Sequence, residues 1–184
     1  HKKVRDDLGE VEILVNNIGG PPPGSFESLS DQDWQDALNL TMLSAIRMSR
    51  TVLPQMKVNG WGRIINISSV EGKHGKAGIA QYVSAKHAIN GLTKSAAKEV
   101  GTMGITVNSI CPGPVHTLMN DRRIEYDANR KNVDFDEQAA SLTAIGRRLE
   151  PEEIAPLAVY LASDEAACMT GQAVNICGGT LMTG

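Results

Sequence analysis

The stretch SVEGKHGKAGIAQYVSAK, residues 69–86, holds three groups that together can move a proton: the hydroxyl of Ser69, the phenol of Tyr82 and the ammonium of Lys86. Residues 81–101 carry small and apolar side chains at Val83, Ala85, Ala88, Ile89, Leu92, Ala96 and Val100, which predicts a helix. On that helix Tyr82 and Lys86 stand one turn apart on a single face. A free phenol titrates at about 10 and is neutral at pH 7. An ammonium held beside it would stabilise the phenolate, lower that value and make the tyrosine a usable acid or base. Ser69 closes the run RIINISS, which reads as a strand entering a loop, and its hydroxyl could steady a substrate oxygen. The competing reading is an exposed Tyr and Lys on an ordinary amphipathic helix, with Ser69 merely ending a strand. Tyr-x-x-x-Lys is too short a pattern to separate the two by itself.

The surrounding elements alternate between strand and helix. Residues 11–16 (VEILVN) predict a short apolar strand that stops in NNIGGPPPG, a loop dense in glycine and proline. Ser30-Asp31-Gln32-Asp33 is a capping-box pattern opening a long helix. Down one face of it run Trp34, Leu38, Thr41, Ala45, Met48, Val52 and Met56, with Pro54 expected to bend or fray the end. Residues 61–68 predict a second strand and 105–111 a third, halted by Pro112-Gly113-Pro114. Residues 116–148 turn polar and irregular, with short helices possible around 119–130 and 136–144. Pro151-Glu152-Glu153 starts a helix with proline first and acids in the opening turn, and residues 173–177 form a last strand before Gly178-Gly179. Continuous apolar strands separated by helices imply an α/β fold, a Rossmann-like doubly wound parallel sheet with helices on both faces. Ligands in such sheets bind beyond the carboxyl ends of the strands, which is where NNIGG, Ser68-Ser69, CPGPVHT and CGG fall.

At 184 residues the chain is expected to form a single domain, 1–184, with a substrate-loop segment at about 118–148. A net charge of −3 gives no basic footprint for nucleic acid. No apolar run reaches the ~18 residues of a membrane span, and no secretory signal opens the chain. Cys111, Cys168 and Cys177 are odd in number, lack metal-ligand spacing and read as small buried residues in a reducing compartment, so a cytoplasmic location is expected. His74, His87 and His116 form no metal-like group and read as surface or loop residues; no metal is expected. Arg122-Arg123 and Arg147-Arg148 read as solvated charge, with contact to a phosphate-bearing carrier as the sharper alternative.

In its motifs the chain resembles the short-chain dehydrogenase/reductase family, from about Gly9 to Gly179. NNIGG at residues 16–20 resembles the family's Asn-Asn-Ala-Gly, with Ile18 in place of alanine. Asn39 in ALNLT resembles its active-site asparagine. Ser69, Tyr82 and Lys86 match its catalytic serine, tyrosine and lysine in order and spacing, and Pro112-Gly113-Pro114-Val115-His116-Thr117 resembles its Pro-Gly-x-x-x-Thr loop. The ending GQAVNICGG and the run ITVNSICPGPVHT look most like ketoreductases acting on 3-oxoacyl or polyketide chains.

The resemblance implies an NAD(P)-dependent oxidoreductase interconverting a ketone and a secondary alcohol. Tyr82 would exchange the proton, Ser69 hold the oxygen, Lys86 depress the tyrosine pKa and bind the nicotinamide ribose, and Asn39 hold a relay water. Asn17, Ile18 and Gly19 would line the adenosine side, while Pro112, Gly113, Val115 and Thr117 would grip the nicotinamide half. NAD and NADP both stay open, because the family's segment that chooses between them has no counterpart here. The partners implied are a small carbonyl or alcohol substrate and further copies of the chain, as a homodimer or homotetramer.

Family members begin with a strand, a glycine-rich phosphate loop and a helix, and no such pattern precedes VEILVNN. The chain is therefore expected to be part of a longer enzyme, missing the first βαβαβ part, with residues 11–16 left as an open sheet edge. The alternatives are a fragment whose edge a partner covers, and a truncated scaffold without cofactor that serves as an interaction module.

Overall fold

The computed structural model describes residues 2–182. Four strands, β1 (Ile13–Asn16), β2 (Gly62–Ile67), β3 (Ile105–Pro112) and β4 (Ala173–Ile176), form one parallel sheet in the order β1-β2-β3-β4. Asn16 stands opposite Asn66, Asn66 opposite Ser109, and Ser109 opposite Ala173, so the carboxyl ends of the strands share one edge. Among the described residues seven α-helices accompany them: α1 (Lys2–Leu8), α2 (Asp31–Leu38), α3 (Ser44–Asn59), α4 (Ala80–Val100), α5 (Leu118–Lys131), α6 (Phe135–Ala140) and α7 (Pro151–Ala162).

Both faces of the sheet are covered, which is why β2 and β3 read as near-continuous apolar runs. Successive residues of a strand point to opposite faces. Ile64 accordingly joins Leu14, Val52, Met56, Val100, Ile105 and Val107 under α3 and α4. Ile65 and Ile110 pack on the other face with Leu161 of α7 and Ala166. Each such aliphatic side chain contributes roughly 1.5–3 kcal/mol relative to exposure, so this seam sets the height of α4 above the sheet. Through α4 it sets the positions of Tyr82 and Lys86.

The predicted long helix is present, but a π-turn at Asn39–Leu43 divides it into α2 and α3. The capping box at Ser30 forms as expected, Asp33 N–H donating to the Ser30 hydroxyl and Ser30 N–H to the Asp33 carboxylate. Pro54 neither ends nor frays α3, which continues to Asn59 and closes on Gly60 at φ 65°. Pro54 is exposed, so water can take the carbonyl its ring leaves free.

The polar segment after β3 is more ordered than its composition predicts. Two helices, α5 and α6, build it, and a short parallel bridge between Val115 and Leu149 pinches its base. His116 N–H donates to the Leu149 carbonyl at 2.9 Å, and Leu149 N–H to the Pro114 carbonyl at 2.9 Å. Strand β1 forms an edge, with Ile13 and Val15 45% and 46% exposed. Of the cysteines, Cys111 and Cys177 are buried as expected, whereas Cys168 is exposed just past the end of α7. No helix among the described residues is long and apolar enough to cross a membrane.

Candidate active site

A cavity of about 750 Å³ opens at the carboxyl edge of the sheet. The loops after β1, β2 and β3 line it, together with the start of α4, α5 and the first turns of α7. Ser69, Tyr82 and Lys86 share its wall, although they are only 5%, 4% and 3% exposed. The bland reading of an exposed Tyr and Lys is therefore excluded. Ser69 leaves β2 in extended backbone and starts a single 3-10 turn at Val70–Gly72 that packs on α4. Its hydroxyl accepts from the Glu71 N–H at 3.2 Å and donates to the Glu71 carboxylate.

The electrostatics differ from expectation. Burial pushes the Tyr82 phenol up, and the cation that opposes this is Arg123 of α5, with the nearby Ser69 hydroxyl working in the same direction. Lys86 stands farther from the ring than Arg123 does. Its ammonium donates to the Ile67 carbonyl at 2.6 Å and stands 5.5 Å from the centre of the Tyr82 ring. Burial, aided by Arg123, holds Lys86 down at about 8. The Arg123 guanidinium lies against the ring instead, its Cζ 3.8 Å from the centroid.

Asn39 is not brought to this site. Its side chain is exposed and lies outside the cavity wall, and its carbonyl accepts the Ser44 N–H that defines the π-turn. The turn does pack against α4, and a π-turn in a long helix is a feature often found beside functional sites.

The residues predicted to bind cofactor do converge. Asn17, Ile18, Gly19, Pro112, Gly113, Val115 and Thr117 all border the cavity with Tyr82 and Lys86. Gly113 sits tight enough on β4 that a Cβ would come 2.7 Å from the Cys177 carbonyl oxygen, which fixes the path of the Pro-Gly loop. Gly19 faces open space. The apolar wall at Val115, with the Thr117 hydroxyl at the mouth of α5, fits the flat, amide-bearing nicotinamide half of a dinucleotide.

Two contributors were not read from the sequence, and a third, Arg123, was read first as solvated charge. Glu71 stands in the wall beside Ser69, and Met119 Sδ accepts the Gly20 N–H at 3.0 Å, clamping the NNIGG loop onto α5. Arg123 is buried, while Arg122 beside it is exposed. One residue along a helix turns the side chain by about 100°, and the spacing of Met119, Arg123 and Asp127 on one face was the available signal. Among the described residues no cluster of His, Cys, Asp or Glu could hold a metal.

Comparison with known proteins agrees with this arrangement. The family model described as enoyl-(acyl carrier protein) reductase matches residues 1–180. The chain belongs to the short-chain dehydrogenase/reductase family. It is 39% identical over 183 residues to the 3-oxoacyl-[acyl-carrier-protein] reductase of Vibrio harveyi, covering 98% of this chain and 71% of that protein. It is 38% identical over 177 residues to the acetoacetyl-CoA reductase of Shinella zoogloeoides, covering 96% and 70%. A crystal structure of an actinorhodin polyketide ketoreductase variant with NADPH superposes with a TM-score of 0.92 at 36% identity, over 97% of this chain and 70% of that one. The short-chain dehydrogenase/reductase scaffold accounts for the parallel sheet, the two long helices and the cavity at the strands' carboxyl edge.

Proposed function

We propose that this protein reduces the ketone of a 3-oxoacyl or polyketide-type substrate to a secondary alcohol, or runs the reverse reaction. The observation that carries the reading is the convergence of Ser69, Tyr82 and Lys86 on one buried cavity wall. A nicotinamide dinucleotide, NAD or NADP, supplies the hydride when bound. The chain's own residues do the rest. Tyr82, whose burial favours the neutral phenol, donates its proton to the carbonyl oxygen as charge develops there. The Ser69 hydroxyl turns from Glu71 to hold the same oxygen. Lys86, fixed by the Ile67 carbonyl, offers a positive charge near the phenolate left behind and hydrogen bonds to the nicotinamide ribose. The apolar wall formed by Pro112 and Val115 keeps water from the transfer.

Residues 1–184 are read as one domain, with 118–148 shaping the substrate side. Free thiols at Cys111, Cys168 and Cys177 support a reducing, cytoplasmic setting. Exposed apolar side chains on α3, Met48 and Val58, support a homodimer or homotetramer built through the long helices. The test is an assay of the purified protein with NADPH and with NADH against a panel of 3-oxo esters and thioesters. Ketone-dependent loss of the reduced cofactor is the expected result. No turnover, together with no change in cofactor fluorescence on titration, would return the protein to the interaction-module reading.

A further inference from the structure

The hydroxyl of Ser69 is already committed inside the protein. It donates to the carboxylate of Glu71, the one carboxylate among the described residues bordering the cavity, and accepts the Glu71 N–H at 3.2 Å. A hydroxyl has a single proton to donate, and an ionised carboxylate is a much stronger acceptor than a neutral ketone oxygen. A substrate carbonyl therefore does not win that proton in the ground state. Negative charge building on its oxygen can, but the exchange strips Glu71, whose side chain is 16% exposed, of its donor. A carboxylate left unanswered in such a place is costly. One cation stands within reach. The Lys76 ammonium, from the same loop, lies 3.9 Å from Glu71 and 3.5 Å from Asp127 of α5, both longer than the roughly 3 Å of a hydrogen bond. Asp127 has Arg130 as well, at 3.1 Å. Lys76 thus lies near two carboxylates and is held closely by neither.

We infer that Glu71 and Lys76 are an exchange pair that positions the Ser69 hydroxyl: as charge develops on the substrate oxygen, Ser69 leaves Glu71 to donate to that oxygen, and Lys76 closes on Glu71 in its place. The inference rests on the ketone-reductase reading and deepens it by naming what frees Ser69. No covalent bond changes in the exchange. Ser69 and Lys76 keep their protons, and each anionic oxygen ends with a donor. Both members act through Ser69 and touch no reacting atom, so they are positioning residues. Because the hydroxyl reaches the oxygen only as the transition state forms, the pair raises kcat and leaves KM alone.

The intact protein, Lys76→Met, Glu71→Gln and the double variant are compared on ethyl acetoacetate, each also in a Ser69→Ala background. The pH is held below about 8, where Lys86 keeps its charge. Lys76→Met leaves Glu71 no second donor, so kcat falls roughly tenfold with KM unchanged, part of the 10²–10³ that losing an oxyanion donor outright costs. Glu71→Gln, whose amide oxygen is the weaker acceptor, raises kcat, and in the double variant it cancels the Lys76→Met loss. In Ser69→Ala neither substitution moves kcat further. Additive losses, a change carried by KM, or effects that persist without Ser69 overturn the inference, while wild-type turnover keeps the ketone-reductase reading. Where Lys76→Met does not fold, Lys76→Gln replaces it with the same expectations. If the wild type turns over no ketone, that reading fails and denaturant double-mutant cycles decide the pair. A Ser69–Glu71 coupling that grows in the Lys76→Met background sustains the exchange; a coupling unchanged or smaller removes it.

Discussion

The ammonium of Lys86 lies one helical turn beyond Tyr82 and donates to the Ile67 carbonyl at 2.6 Å, while the guanidinium of Arg123 takes the place against the phenol ring. Two cations thus flank one buried hydroxyl from different elements. The nearer one, on α5, comes from the segment 118–148 read above as shaping the substrate side.

Tyr82→Phe removes the proton donor and nothing that lines the dinucleotide side. Turnover should fall by about 10²–10⁴, with cofactor binding kept. Steady-state kinetics and a fluorescence titration with NADPH check both halves; retained turnover removes Tyr82 from the mechanism.

Lys86 sits at about 8, so its charge is lost within an accessible range. If that charge supports the phenolate, kcat/KM falls as pH rises through about 8. Lys86→Arg should carry the fall to higher pH. Glu71→Gln should carry it lower, because the Glu71 charge supports the ammonium. A pH–rate profile of the three proteins is the measurement.

The same group makes a prediction for stability. The folded-state value, about 8, is below the ordinary 10.5, so between these the unfolded chain binds more protons than the folded one. Stability from this group therefore rises with pH across that window, and is lowest below it. Denaturant midpoints followed through the window should show this rise in the wild type, and Lys86→Met should lack it.

Gly72 lets the Ser69 turn lie on α4. A Cβ there would meet Ser68 Oγ at 2.7 Å, Asn90 Nδ2 at 2.8 Å and the Lys86 carbonyl oxygen at 2.8 Å. Gly72→Ala should cost about 1–3 kcal/mol of stability and lower kcat by displacing Ser69. Gly75→Ala, where a Cβ meets nothing within 4 Å, is the control. Chemical denaturation and kinetics of both variants read the difference.

A buried polar chain ties the sheet to α4: Asn16 Nδ2 donates to Asn66 Oδ1 at 2.8 Å, and Asn66 Nδ2 to Thr93 Oγ1 at 2.9 Å. Thr93→Val strands a buried amide and should destabilise by about 1–3 kcal/mol. Combined with Asn66→Leu the loss should be less than the sum of the single losses, since the same hydrogen bond is removed twice. A double-mutant cycle by denaturant unfolding tests it.

The local code of this chain is strong where chemistry and backbone agree. The Ser69–Tyr82–Lys86 spacing, the capping box at Ser30, the proline-led start of α7 and the apolar runs of β2 and β3 each specify their own conformation from neighbouring residues alone. Those signals were enough for a parallel α/β fold with its site at the strand ends. Tertiary packing settled the facing of individual polar groups. The buried face of α4 turns out to carry Tyr82, Lys86, Asn90 and Thr93, a polar stripe at helical spacing hidden among small residues. Asn39 is exposed at the start of a π-turn, which no residue type there announces. Arg122 and Arg123 have the same chemistry in sequence; only the packing of α5 over the cavity leaves one in water and drives the other against Tyr82. A charge's meaning depends on what surrounds it, and those surroundings come from segments far apart in the chain.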